Sequence, residues 1–253
     1  MPLIPIGVAV VLVASSGGAA NGSVAHARLR AIGGSSNRRA GAHARGSVPA
    51  AKPKLPTSEV ALVTEPTELH ASPGGAVIAA QPLKTSFGSV TVLLVERTVG
   101  SWLGVVSPLA GNGRLGWISS SAVKVSRVKV KLEVSLGGRE LTVLEGASVV
   151  ERYRIAVGKP SSPTPTGTFA VTDRLQTNDP SGPYGCCILA LSALAPHAIE
   201  DWDGGNRIAI HSTPDTSTIG EAISHGCMHV TLPEGEWLME HVPLGTPVVI
   251  RSD

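Results

Sequence analysis

The chain has 253 residues, 42% hydrophobic and only 16% charged, which allows one large or two modest globular domains and excludes general disorder. Aromatics reach only 3%, so the cores must be built from Val, Leu, Ile and Ala. Seven of the 21 basic residues precede the first acidic one, Glu59, leaving 14 basic against 19 acidic residues, a net of −5, over the remainder. A basic tail on a mildly acidic body argues against a nucleic-acid partner, whose basic footprint belongs on the folded surface.

Residues Leu3 to Ala14 form an apolar run, followed by small residues and by Ala25-His26-Ala27, an A-x-A-like cleavage site. This pattern predicts a secretory signal over 1–27, and hence a secreted or periplasmic protein. The run is too short to cross a bilayer comfortably and contains Pro5, so no stable transmembrane span is expected. An unstructured Ala/Gly-rich tail is the competing reading, because no Lys or Arg precedes the run. Residues 28–57 are Gly, Ala, Ser, Pro and basic residues without an apolar face, and predict a disordered basic linker.

From Ser58 the texture changes to short apolar runs separated by turns. Val90 to Val95, Trp102 to Val106 and Gly116 to Ile118 are strand-like, and Gly111-Asn112-Gly113-Arg114 marks a tight turn. Short strands with frequent turns suggest a small antiparallel barrel over 58–126. The residues Trp102, Gly104, Val105, Pro108, Asn112 to Arg114, Gly116 to Ile118 and Val123 resemble bacterial SH3-like domains, modules that often accompany cell-wall enzymes. That resemblance implies a cell-wall polymer as the module's partner. Trp102 and Trp117 are read as core residues, with ligand-stacking platforms as the alternative.

Residues 127–253 open with Val128 to Val134, a period-two strand. Gly137-Gly138 turns it into Glu140 to Leu144, and Val149 to Val157 adds a third. The segment from Gly158 to Gly167 is a rigid Pro-rich loop, and Phe169 resumes a strand. Helical patterning is confined to Ile219–Ile223 and Glu234–Glu240. The whole chain is therefore expected to be mostly β.

The stretch Ser224-His225-Gly226-Cys227-Met228-His229 concentrates the reactive side chains, and His211 lies shortly before it. A thiolate is the reactive form of cysteine, and a neighbouring imidazole is the usual means of generating one. Gly226 lets a substrate carbonyl approach the backbone, leaving the Gly226 and Cys227 N–H groups to face a developing oxyanion. Cysteine-dependent acyl transfer is the chemistry this points to. A rival is zinc: His225, Cys227 and His229 alternate along an extended chain, with His211 to complete the set, although structural zinc sites usually use separated ligand pairs. A non-catalytic wall-binding protein is a third class.

Residues 127–253 resemble the catalytic domain of the L,D-transpeptidases, the YkuD-like family. The resemblance rests on Thr164-Pro165-Thr166-Gly167-Thr168-Phe169, Ile210-His211, Ile219-Gly220, Ser224-His225-Gly226-Cys227 and Pro243 to Val248, in that order. It implies Cys227 as nucleophile and His211 as proton acceptor and donor, with the Ser212 carbonyl orienting the imidazole. It also implies that backbone N–H groups at His225, Gly226 and Cys227 form the oxyanion hole, with Ser224 and His225 bracing the loop. The implied substrates are peptidoglycan stem peptides. Loss of the terminal D-Ala from a tetrapeptide stem would leave a thioester, which a second stem's amine resolves to a 3→3 cross-link. Water as acceptor would make an L,D-carboxypeptidase, and an envelope-protein amine is a further acceptor. No cofactor and no metal are implied. Tyr184, Trp202 and His229 are candidate substrate contacts; His229 departs from the family, which usually carries Asn or Arg there. With three cysteines in an exported chain, a vicinal Cys186–Cys187 bridge and two reduced core residues are both open.

Overall fold

The computed structural model describes residues 56–196 and 205–253. The expected signal and nearly all of the expected linker lie outside these residues, as does Trp202. Among the described residues no helix is long and apolar enough to cross a membrane.

The first seven strands are β1 (Ser58–Val63), β2 (Thr67–His70), β3 (Val77–Gln81), β4 (Val92–Val99), β5 (Trp102–Val106), β6 (Leu115–Ser119) and β7 (Val123–Val128). They form one sheet in the order β3-β2-β6-β5-β4-β1-β7, and every pairing is antiparallel. Gly111 and Gly113, at φ 82° and 69°, carry the chain between β5 and β6 through backbone that a side chain would oppose. The core is aliphatic: Ala61, Val63, Leu69, Leu93, Leu103, Val105, Ala110 and Ile118. Trp117 is buried over Gly104, where an added Cβ would come within 3.1 Å of the indole. Trp102 is half-buried, edge-on to His70 at 4.9 Å.

The remaining strands are β8 (Val130–Ser135), β9 (Glu140–Glu145), β10 (Ser148–Arg154), β11 (Val157–Gly158), β12 (Gly167–Gln176), β13 (Cys187–Leu194), β14 (Arg207–Thr213), β15 (Ala222–Ser224), β16 (Met228–Thr231) and β17 (Pro247–Arg251). Eight of them make a second sheet, β10-β9-β8-β17-β12-β13-β14-β16, while β11 and β15 pair separately. Phe169, Leu189, Leu191, Ile208, Ile210 and Met228 centre its core. The one α-helix among the described residues, α1 (Leu232–His241), packs on β13, β14 and β16. Pro233 sits in its first turn, and Glu234 reaches back to accept the Thr231 N–H at 2.7 Å.

Two local expectations fail. The period-two run from Val128 is two strands: β7 ends at Val128 in the first sheet and β8 begins at Val130 in the second. Residues 219–223 are not helical. Gly220, at φ 89°, turns the chain, and Ala222 pairs with Val157 in a short parallel ladder.

The two sheets are joined by apolar contact and by specific polar clamps. Leu94 and Val106 of the first sheet cluster with Ala170 of the second. The Asn112 amide donates to the Leu194 carbonyl (2.7 Å) and accepts the Leu194 N–H (2.9 Å). Thr85 Oγ1 donates to the fully buried Asp173 carboxylate.

Candidate active site

Parallel pairing of β14 with β16 builds the site. A parallel neighbour is reached only by a crossover that returns the chain to the same end of the sheet. Here the crossover runs from Pro214 to Cys227, so its last turn, Ser224 to Cys227, delivers the chain directly into β16. The register sets Ile210 opposite Met228 and His211 opposite His229. The register therefore puts His229 directly beside His211, while Cys227, the residue just before β16, is hydrogen-bonded at Ala209, two residues before His211.

The turn is held by its own side chains. Ser224 Oγ donates to the Cys227 carbonyl (2.6 Å) and accepts the Gly226 N–H (3.0 Å). The Gly226 amide is therefore engaged by the loop, and the expectation that it stands free for an oxyanion is corrected. Gly226 adopts φ 118°, and an added Cβ would lie 2.8 Å from Ile208 Cδ1. The Pro-rich loop braces the turn from the other side. Thr164 Oγ1 donates to the Gly226 carbonyl (2.9 Å) and accepts the Gly158 N–H (2.9 Å), while the Lys159 N–H donates to the Ser224 carbonyl (2.9 Å). Sequence reasoning placed Thr164 in the motif but gave it no bracing role; a polar residue amid prolines was the available signal, and the structure buries it to 4% exposed. His225 is exposed, with Nε2 3.0 Å from Lys159 Nζ, and is thus turned to the loop.

His211 is 3% exposed, and its Nδ1 lies 2.9 Å from the Ser212 carbonyl oxygen. A carbonyl can only accept, so Nδ1 carries the proton. Burial first, and then the neighbouring His229, push the His211 pKa down to about 4, although the Ser212 carbonyl favours the charged ring. The ring is therefore neutral near pH 7, with its Nε2 lone pair available. Burial pushes the Cys227 thiol up to about 11, and a backbone hydrogen bond at Ala209 offsets part of that shift. The resting pair is a neutral thiol and a neutral imidazole.

His229 lies with its ring centroid 4.4 Å from that of His211. Its backbone is bonded twice to Ala156, at 3.1 Å each way, whereas its buried Nδ1 has no hydrogen-bond partner among the described residues. Burial lowers its pKa. Tyr184 meets His211 edge-on at 5.0 Å, and its hydroxyl pKa is raised by burial and then by Cys227. Cys186 and Cys187 are joined by a disulfide, leaving Cys227 as the free cysteine.

The zinc reading requires His225 to join His211, Cys227 and His229. His225 is turned to Lys159 instead, and no group of three or more His, Cys, Asp or Glu among the described residues is arranged to hold a metal ion. Cys227 is a buried free thiol just before β16, and His211 is a tautomer-fixed imidazole on the paired strand β14. A thiol and an imidazole base are the two groups that nucleophilic acyl transfer by cysteine requires.

Residues 129–250 match the L,D-transpeptidase catalytic domain, YkuD. The match begins at the junction between β7 and β8. The YkuD protein of Bacillus licheniformis is 37% identical over 123 residues, covering 49% of this chain and 66% of its own length. That of Bacillus subtilis is 34% identical over 120 residues, covering 47% and 65%. L,D-transpeptidase 1 of Mycobacterium tuberculosis is 24% identical over 212 residues, and its alignment takes in 70% of this chain and 81% of that protein. The YkuD-like domain thus coincides with the second sheet, which carries all the residues just described.

Proposed function

We propose that the chain is a peptidoglycan L,D-transpeptidase in which Cys227 and His211 carry the chemistry. Cys227 Sγ attacks the carbonyl of the third residue of a tetrapeptide stem while His211 Nε2 takes the thiol proton. The His225 and Cys227 N–H groups are the candidate donors to the resulting oxyanion, a kind of interaction that contributes about 3 kcal/mol per donor. His211 returns the proton to the departing D-Ala amine as the thioester forms. The amine of a second stem then displaces Cys227, giving the 3→3 cross-link. Ser224 and Ser212 position the turn and the base, and His229 and Tyr184 face the substrate beside His211.

The observation that carries this reading is the Nδ1–Ser212 carbonyl bond, which leaves Nε2 unprotonated on the strand paired with the one that Cys227 leads into. Export to the envelope, and wall attachment through residues 58–126 as an SH3-like module, belong to the same proposal. The sequence pattern around Trp102 and Trp117 supports that module.

The test incubates the full chain with disaccharide-tetrapeptide and reads the products by mass spectrometry, alongside Cys227→Ala. Release of D-Ala with a cross-linked dimer, both absent from the variant, is the expected result. Release without a dimer would assign water or another amine as acceptor, and no release from folded protein would overturn the substrate.

A further inference from the structure

We infer that the Cys186–Cys187 disulfide is a positioning element for His211, and that opening it to two thiols slows the chemistry. This rests on the proposed role of His211 as base. The two sulfurs sit where β13 begins, and the next residue, Ile188, is registered opposite His211 on β14. Everything that orients the His211 ring from the Nδ1 side passes through Ser212, and Ser212 is gripped by this cysteine pair. Its Oγ accepts the Cys187 N–H (3.0 Å). Its single hydroxyl proton is within reach of Cys186 Sγ (3.3 Å) and of the Tyr184 (3.3 Å) and Cys187 (3.4 Å) carbonyls.

The packing leaves no slack around that serine. An added Cβ on Gly185 would fall 2.5 Å from Ser212 Oγ, and one on Gly235 of α1 would fall 2.8 Å from Ser212 Cβ and 3.3 Å from Cys187 Cβ. Tyr184, whose ring edge meets His211, is two residues from Cys186 in the same segment.

In the disulfide, neither sulfur can donate, so the Ser212 hydroxyl is the only donor in the contact. A dithiol reduces the bond with two electrons and two protons, leaving as its own disulfide. The products are two buried S–H groups that must find space and acceptors. The Cys186 thiol could donate to Ser212 Oγ or to the Leu232 carbonyl, 3.8 Å away, and either choice redistributes the hydrogen bonds that hold Ser212. The Ser212 carbonyl, and with it the His211 ring, shifts in consequence.

The test compares the full chain as purified without reductant with the same protein treated with dithiothreitol until its intact mass shows two added hydrogens, then desalted. Two readouts are taken: kcat and KM for D-Ala release across pH, and the rate of Cys227 alkylation by iodoacetamide, resolved by peptide mass spectrometry. The reduced form is expected to lose about ten- to a hundredfold in kcat, the scale of a small misplacement of a reacting group, with KM nearly unchanged. Its Cys227 alkylation should slow in parallel, and its acid pH limb should move. Reoxidation should restore all three, and Cys186→Ser/Cys187→Ser should match the reduced form and ignore dithiothreitol. Equal kcat in the two redox forms, faster alkylation at unchanged kcat, or three free thiols in the untreated protein would overturn the inference. A redox difference in alkylation with no D-Ala release in either form would fault the substrate reading while leaving this one standing.

Discussion

The two sheets draw on the same aliphatic residues but are wired differently, and chemistry follows the wiring. In the first sheet every pairing is antiparallel, and its buried polar residues, Gln81, Thr91 and Ser107, serve loops and the junction. The second sheet contains parallel pairings, β8 with β17 and β14 with β16, and it buries His211, Ser212, Thr213 and Asp173 in its strands. An antiparallel meander can be closed by short turns that never leave the sheet edge. A parallel pair forces the chain out of the sheet and back. The excursion between β14 and β16 is where a glycine at φ 118°, a buried thiol and their bracing side chains are accommodated.

The largest expected effect tests that division directly. Cys227→Ala should lower D-Ala release by about a thousandfold or more while leaving the circular dichroism spectrum unchanged. In the first sheet the reverse pattern is expected. Ile118→Ala removes a fully buried side chain and should cost about 2–5 kcal/mol in denaturant unfolding. Its kcat should stay within about twofold of wild type, because the partners of Cys227 and His211 among the described residues come from the second sheet and its loops. A large kcat loss for Ile118→Ala would break the comparison.

A pH effect on stability comes next. His211 is held to about 4 when folded, against an ordinary value of 6.5. Between those values the unfolded ring takes up a proton that the folded ring refuses, so stability falls as pH falls through the window, by about 3 kcal/mol, and is fully present above it. Urea unfolding of wild type and His211→Asn at both ends of the window isolates this contribution as the difference in their slopes. Parallel slopes would mean that the folded ring is protonated more easily than its burial implies. The smallest effect sharpens the site itself. Substrate affinity through His229 should weaken as that ring loses its charge with rising pH, whereas His229→Arg should bind a carboxylate evenly across pH. Superimposed profiles would remove His229 from anion recognition.

What was legible in the sequence was what is local. Ser224 to Cys227 and His211 announce themselves by residue type and spacing, and the parallel register makes neighbours of the two segments. Three things were hidden because they depend on competition between partners or on tertiary geometry. The Gly226 amide reads as free until Ser224 Oγ is seen to occupy it. Ile219 and Ile223 are spaced like a helical face, yet the Gly220 backbone and the pairing with β11 decide otherwise. The alternation from Val128 to Val134 continues across the sheet junction because period two records which side chains face a core, not which core it is. Cysteine pairing stayed open for the same reason, since spacing alone does not fix it.

The junction between the sheets also bears on where this protein can be cut. The start of the family match at residue 129 falls between two strands and looks like a natural excision point. Yet Gly245 approaches the first sheet so closely that an added methyl would lie 2.7 Å from Val60 Cγ1 and 2.8 Å from Val92 Cγ1. Ala170 has its cluster partners on the far side of the junction, and both backbone groups of Leu194 are satisfied by Asn112. A fragment beginning at 129 would carry an apolar scar on its back and would give up both Leu194 backbone bonds to water. For expression, crystallisation or inhibitor screening, the two sheets over residues 58–253 should therefore be kept together.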